Sequence, residues 1–131
     1  MKILIQNGRV LNPASNTDAL LDILIEEQTI AQIGPSLSDQ DVDQTIDATD
    51  CYVMPGLIDL HVHLRDPGQT YKETLETGGK AAAKGGFTTI VAMANTTPVI
   101  DDPQKVMEVH DRSKFSSPIQ ILQVASVTKG M

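Results

Sequence analysis

Met54-Pro55-Gly56-Leu57-Ile58-Asp59-Leu60-His61-Val62-His63-Leu64 is the stretch where the pattern of this 131-residue chain changes. From Leu57 onward, apolar runs of strand length alternate with helical runs, the signature of a parallel α/β unit. Residues 57–64 read as its first strand. Residues 70–84 read as its first helix, with Thr70 and Glu73 at capping-box spacing and Gly85-Gly86 as the terminator. Gly78, Gly79 and Ala81-Ala82-Ala83 leave this helix with little bulk, which suits close packing on a sheet. Residues 87–94 form a nearly all-apolar second strand, as expected when both faces are covered. Asp102-Pro103 opens a second helix, with Asp as N-cap and Pro at the first helical position. Residues 119–127 read as a third strand.

Upstream of Pro55 the chain reads differently. Lys2-Ile3-Leu4-Ile5 is a short strand ending at the turn pair Asn7-Gly8, and Arg9-Val10-Leu11 is another. Residues 20–26 alternate with a period of two. Glu27-Gln28 turns the chain into Thr29-Ile30-Ala31-Gln32-Ile33, which Gly34-Pro35 closes. Residues 36–43 are polar and acidic and read as a solvated loop. Thr45-Ile46-Asp47-Ala48 and Cys51-Tyr52-Val53-Met54 are two further strands, with Cys51 expected to be buried. The expectation is a β-rich subdomain over 1–54 followed by an α/β portion over 55–131.

Composition narrows the function classes. The 40% hydrophobic content is ordinary for a globular protein and excludes intrinsic disorder. The formal net charge of −7 argues against nucleic acid or an anionic membrane as partner. No apolar run approaches the roughly 18 residues of a membrane span, and the strand-like start lacks a signal-peptide pattern. The single cysteine cannot form an internal disulfide, so a reducing, cytoplasmic location is expected.

The chemistry concentrates at His61-Val62-His63. Residues two apart on a strand leave the same face, and two adjacent imidazoles can share one divalent cation, with zinc the usual choice for hydrolysis. Catalytic zinc takes a third protein ligand and keeps an open position for water. The simpler alternative is a pair of polar residues facing solvent. Arg65 has the parity of both histidines, and its guanidinium fork matches a carboxylate. Its simpler role is a surface salt bridge with Asp66. Asn95 lies just past the second strand, at the end where α/β sheets keep their sites, although asparagine there also serves as a turn cap. His110 falls mid-helix and is expected on the helix surface.

The run from Met54 through Gly68 resembles the signature of the dihydroorotases of the amidohydrolase superfamily. Gln69-Thr70-Tyr71-Lys72-Glu73, Gly85-Gly86-Phe87-Thr88-Thr89 and Asn95-Thr96 extend the likeness. Allantoinases and hydantoinases share the Pro-Gly and His-X-His part, whereas Leu64-Arg65-Asp66-Pro67-Gly68-Gln69-Thr70 favours dihydroorotase. The resemblance implies the first three strands and two helices of a (β/α)8 TIM-type barrel, incomplete here because such a barrel typically takes about 250 residues. It implies that His61 and His63 are metal ligands for zinc, one or two ions in the intact enzyme. It also implies that Arg65 and Asn95 hold the carboxylate of carbamoyl-aspartate or dihydroorotate.

In the family, later strands supply a bridging carboxylate, two more histidines and a proton-handling aspartate, and no position here matches them. No catalytic acid or base is therefore expected within this chain, which alone should be inactive. The family commonly has Met-Pro-Asn where this chain has Met93-Ala94-Asn95, and alanine leaves the approach to Asn95 freer. The resemblance further implies a homo-oligomer and association with aspartate transcarbamoylase. The alternatives are a non-catalytic partner of that enzyme, or a fragment of an allantoinase or hydantoinase.

Overall fold

The computed structural model describes residues 1–38 and 41–130. The chain forms two compact units, Met1–Pro55 and the residues from Gly56 onward. Among the described residues they contain two sheets and two α-helices, an α/β protein.

The first unit is a five-stranded sheet ordered β3-β2-β1-β4, with β5 also pairing with β1. Its strands are β1 (Lys2–Asn12), β2 (Thr17–Glu26), β3 (Thr29–Gly34), β4 (Gln44–Asp47) and β5 (Tyr52–Val53). A short 3-10 turn, Pro13–Ser15, links β1 to β2. Asn7-Gly8 is not the hairpin turn that its sequence suggests. The chain continues through it as one strand, and the register against β2 slips between Ile5 and Gly8. The left-handed backbone that Asn accepts (φ 64°) is spent on a β-bulge. Asp22, buried on β2, secures it by accepting the Asn7 amide at 2.9 Å and the Leu37 amide at 2.8 Å. Cys51 is exposed, because it sits in the turn between β4 and β5 rather than inside a strand. Of the acidic loop expected at 36–43, residues 39 and 40 lie outside the described residues.

The second unit is a parallel sheet ordered β6-β7-β8, from β6 (Leu57–Val62), β7 (Phe87–Ala92) and β8 (Gln120–Gln123). Helix α1 (Leu75–Lys84) joins β6 to β7, and α2 (Pro103–Ser116) joins β7 to β8. The core consists of Leu64, Leu75, Ile90, Ala92, Ala94, Ile100, Val109 and Ile121. Each buried Leu, Ile or Val stabilises the fold by about 1.5–3 kcal/mol relative to exposure. The glycines of α1 allow the close approach. A Cβ on Gly78 would fall 2.4 Å from Leu64 Cδ2, and one on Gly79 would fall 2.3 Å from Ser117 Oγ.

Helix α1 starts later than its sequence suggests. Thr74 is the N-cap, its Oγ1 accepting the Thr77 amide at 3.0 Å while Thr77 Oγ1 accepts the Thr74 amide at 3.0 Å. Residues 70–73 are instead drawn into the turn after Gly68, where the Gln69 amide donates to the Arg65 carbonyl and the Lys72 amide to the Gln69 carbonyl. Helix α2 begins as its sequence suggests, with Asp102 accepting the Lys105 amide at 2.9 Å. That hydrogen bond holds the Asp102 carboxyl below its ordinary range. The cap's contribution is thus present above that range and is lost as pH falls through the lowered value.

Two contacts fix the loop that leaves β6. Asp66 is buried at 4% exposure, and its carboxylate receives Arg112 of α2 at 2.7 and 2.9 Å and the Leu75 amide of α1 at 3.3 Å. Gly68 (φ 97°) lies against the loop after β7. The Thr97 carbonyl oxygen is 1.9 Å from where a Cβ would stand, and the Thr97 amide donates to the Pro67 carbonyl at 3.2 Å. Only glycine meets both the backbone angle and the close approach.

Gly68→Ala is therefore expected to lower unfolding stability by about 1–3 kcal/mol, and Arg112→Ala by about 1–3 kcal/mol through the buried carboxylate left behind. Arg112→Lys should restore part of the second loss. Urea denaturation of each variant measures both effects. Among the described residues, β6 and β8 each pair with β7 alone, and Leu57, Ile58, Leu60, Leu122 and Val124 are exposed. Unpaired apolar edges of this kind associate. The 131-residue chain should accordingly sediment as an associated species, and a monodisperse monomer would contradict this.

Candidate functional site

The end of β6 carries two imidazoles. Val62 and Leu64 pack with the core beneath the helices, so His61 and His63 are presented on the other side and are exposed. Their ring centroids lie 5.1 Å apart with planes at 67°. The register between β6 and β7 slips between Asp59 and Val62, and there the Asp59 carboxylate accepts the His61 amide at 3.0 Å. Asp59 thus secures the backbone from which the first imidazole projects. Nothing in the local sequence pattern marks that role.

Asn95 is delivered by the turn after β7. Ala94 and Thr96 on either side of it are buried. The Ala94 carbonyl accepts the Thr96 amide at 2.8 Å and the Ile100 amide at 3.1 Å, and Thr96 Oγ1 donates to the Pro98 carbonyl at 2.7 Å. These bonds hold the turn without a proline at position 94. Asn95 Oδ1 lies 2.8 Å from His63 Nδ1. His61, His63 and Asn95 line one open cleft of about 500 Å3, with Met93, Val124 and Val127 on its apolar side.

Arg65 sits elsewhere. The strand ends at Val62, and Arg65 adopts a left-handed backbone (φ 59°), so strand parity no longer governs its direction. It is half-buried and does not line the cleft. The simpler alternative, a salt bridge with Asp66, is not formed among the described residues, where Asp66 pairs with Arg112, 46 residues away in sequence. His110 is half-buried on α2, outside the cleft lining. Asp66 and Arg112 support the loop carrying Arg65, and their pairing is invisible to a reading of neighbouring residues.

The donor set bears on a metal ion. An amide oxygen can only accept, so His63 donates through Nδ1, and in the neutral ring the Nε2 lone pair is then free. A ring oriented in this way suits a borderline-soft divalent cation such as zinc. Among the described residues, no group of three or more His, Cys, Asp or Glu side chains is placed to hold a metal. The residues present thus fit part of a zinc coordination sphere, short of the three protein ligands of a catalytic site. Among the described residues, no helix is long and apolar enough to cross a membrane.

Comparison with known proteins places the chain in a family. A family profile described as "Dihydro-orotase-like" matches residues 51–130. The chain is 48% identical over 128 residues to a dihydroorotase of Clostridioides difficile, covering 98% of this chain and 30% of that protein. It is 47% identical over 131 residues to a dihydroorotase of Syntrophotalea carbinolica, covering 100% of this chain and 31% of that protein. Among solved structures, it superposes on the L-hydantoinase (dihydropyrimidinase) of Arthrobacter aurescens with a TM-score of 0.87 at 28% identity, covering 98% of this chain and 28% of the other. The chain thus spans about 30% of the length of the curated relatives it matches. With the paired histidines, the Asn95 turn and the Arg65-Asp66-Pro67-Gly68 loop all inside the matched segment, the chain belongs to the dihydro-orotase-like family.

Proposed function

We propose that this chain is the N-terminal part of a zinc-dependent dihydroorotase, which reversibly closes N-carbamoyl-L-aspartate to L-dihydroorotate in de novo pyrimidine biosynthesis. One observation carries the proposal: His61, His63 and Asn95 converge on one cleft in a segment 48% identical to a protein named dihydroorotase. On this proposal the second unit contributes the first three strands and two helices of a (β/α)8 barrel. The remaining ligands and the proton-handling acid or base come from barrel strands that this chain does not include. The intact protein is then a cytoplasmic homo-oligomer that associates with aspartate transcarbamoylase.

His61 and His63 would hold the metal, one or two zinc ions in the intact enzyme. When bound, zinc supplies Lewis acidity and lowers the pKa of a coordinated water. Asn95, from within the cleft, would bind the substrate carboxylate through its N–H groups, and Arg65, on the loop after β6 and outside the cleft lining, would have to swing toward it for its fork to add paired hydrogen bonds. Anchoring the carboxylate orients the reacting amide and removes much of the entropic cost of the encounter.

A hydantoinase activity is the second reading, favoured by the superposition on L-hydantoinase, although identity there is 28%. A non-catalytic partner role gives no reason for keeping the His61 and His63 pair beside Asn95. The test compares dihydroorotate, hydantoin and allantoin as substrates of the full-length enzyme. Dihydroorotate should be turned over fastest, and preference for hydantoin or allantoin would overturn the proposal. Arg65→Ala should raise KM about 10-fold or more, the least expected when charge-assisted hydrogen bonds to the carboxylate are lost. His61→Ala should remove both bound zinc and turnover. The 131-residue chain alone should show no turnover, and measurable hydrolysis by it would contradict the division of the site described above.

A further inference from the structure

We infer that Asn95 is a positioning residue for His63, selecting the neutral imidazole tautomer in which Nδ1 carries the proton and Nε2 is free to bind metal. The inference rests on the proposal that His63 is a metal ligand, and it gives Asn95 a second task beside contact with the substrate.

The geometry is specific. Asn95 Oδ1 lies 2.8 Å from His63 Nδ1, across two loops that leave neighbouring strands. An exposed histidine left to solvent exchanges between both neutral forms and favours the proton on Nε2, the form that withholds the ligating lone pair. A carbonyl oxygen fixed at hydrogen-bond distance from Nδ1 reverses that preference, because it accepts and cannot donate. It also fixes the ring plane, as outer partners of metal-binding histidines do.

Asn95 can perform this task because its backbone is held. Its flanking residues are buried, and the Ala94 carbonyl is tied by two amides. The carbonyl of Thr97, two residues on, is wedged against Gly68, so the turn is braced from the loop that follows His63. A mobile asparagine would sample both amide orientations, and with its NH2 toward Nδ1 it would select the opposite tautomer.

The same bond orients the remainder of the amide. With Oδ1 turned toward His63, Asn95 presents its NH2 group on the opposite side of the amide. That group donates only, which selects an anionic or carbonyl oxygen over a cationic group. Metal ligand and substrate anchor are in this way coupled through one side chain.

The test needs neither substrate nor turnover. In 15N-labelled, metal-free protein, long-range 1H–15N correlation at about pH 8.5, where imidazole is neutral, reports which nitrogen of each histidine bears the proton. His63 should carry it on Nδ1. Asn95→Ala should return it to Nε2, and Asn95→Asp, which keeps an acceptor oxygen, should retain the Nδ1 form. His61 should be unchanged in both variants, which also reports that the fold is intact. Zinc affinity, measured by competition with a chelating dye, should fall about 10–100-fold in Asn95→Ala, the range for lost outer partners of metal ligands, and recover in Asn95→Asp. A His63 proton on Nε2 in the unmodified protein, or zinc affinity indifferent to Asn95→Ala, would overturn the inference. Because no arm uses dihydroorotate, loss of this inference leaves the proposed reaction standing, and absence of the reaction leaves the tautomer measurement valid.

Discussion

The buried carboxylate of Asp66 is the point on which the second unit is fastened. It lies in the loop that leaves β6, yet it engages both helices. Its oxygens accept the first amide of α1 and, both of them, Nη2 of Arg112 on α2. A carboxylate at 4% exposure is costly unless its lone pairs are met by donors, and here they are. The consequence is geometric. The β6–α1 loop, which bears Arg65, cannot move independently of either helix.

A second constraint joins that loop to the next. Gly68 presses against the Thr97 carbonyl, and Pro67 receives the Thr97 amide. The loops after β6 and β7 therefore behave as one braced piece, with His63 entering from one side and Asn95 from the other. Chemistry placed on loops has the reach that strands lack, but it needs this kind of bracing to hold an angle. The core of aliphatic side chains beneath α1 and α2 supplies the base on which the bracing stands.

Much of this was legible in the residues. The change of pattern at Pro55-Gly56, the alternation of strand and helix after it, the Asp102 cap and the thin face of α1 all follow from local chemistry. Other features were not. Asn7-Gly8 favours a left-handed backbone, and both a hairpin turn and a bulge use one, so the dipeptide cannot choose between them. Thr70 and Glu73 have capping-box spacing, yet the N-cap is Thr74. The choice fell to Thr74 because residues 70–73 are consumed by the turn after Gly68. Strand parity carried His61 and His63 to one side, but it ended before Arg65, whose backbone leaves the extended region. Asp66, the partner in the simpler reading of its neighbour Arg65, is bound by a residue 46 positions away.

The sequence by itself determined the types of element, their order and the chemical character of the site, because periodicity, capping and side-chain chemistry act over a few residues. It also carried the family likeness, since a long run such as Leu64-Arg65-Asp66-Pro67-Gly68 is specific without any coordinates. Only the tertiary structure decided which side chains meet. The pairing of His63 with Asn95 spans 32 residues and that of Asp66 with Arg112 spans 46. Contacts at such separations depend on strand register and loop closure, which no local pattern encodes. The meeting of one imidazole nitrogen with one amide oxygen is therefore a property of the fold, although both residues were conspicuous in the sequence from the start.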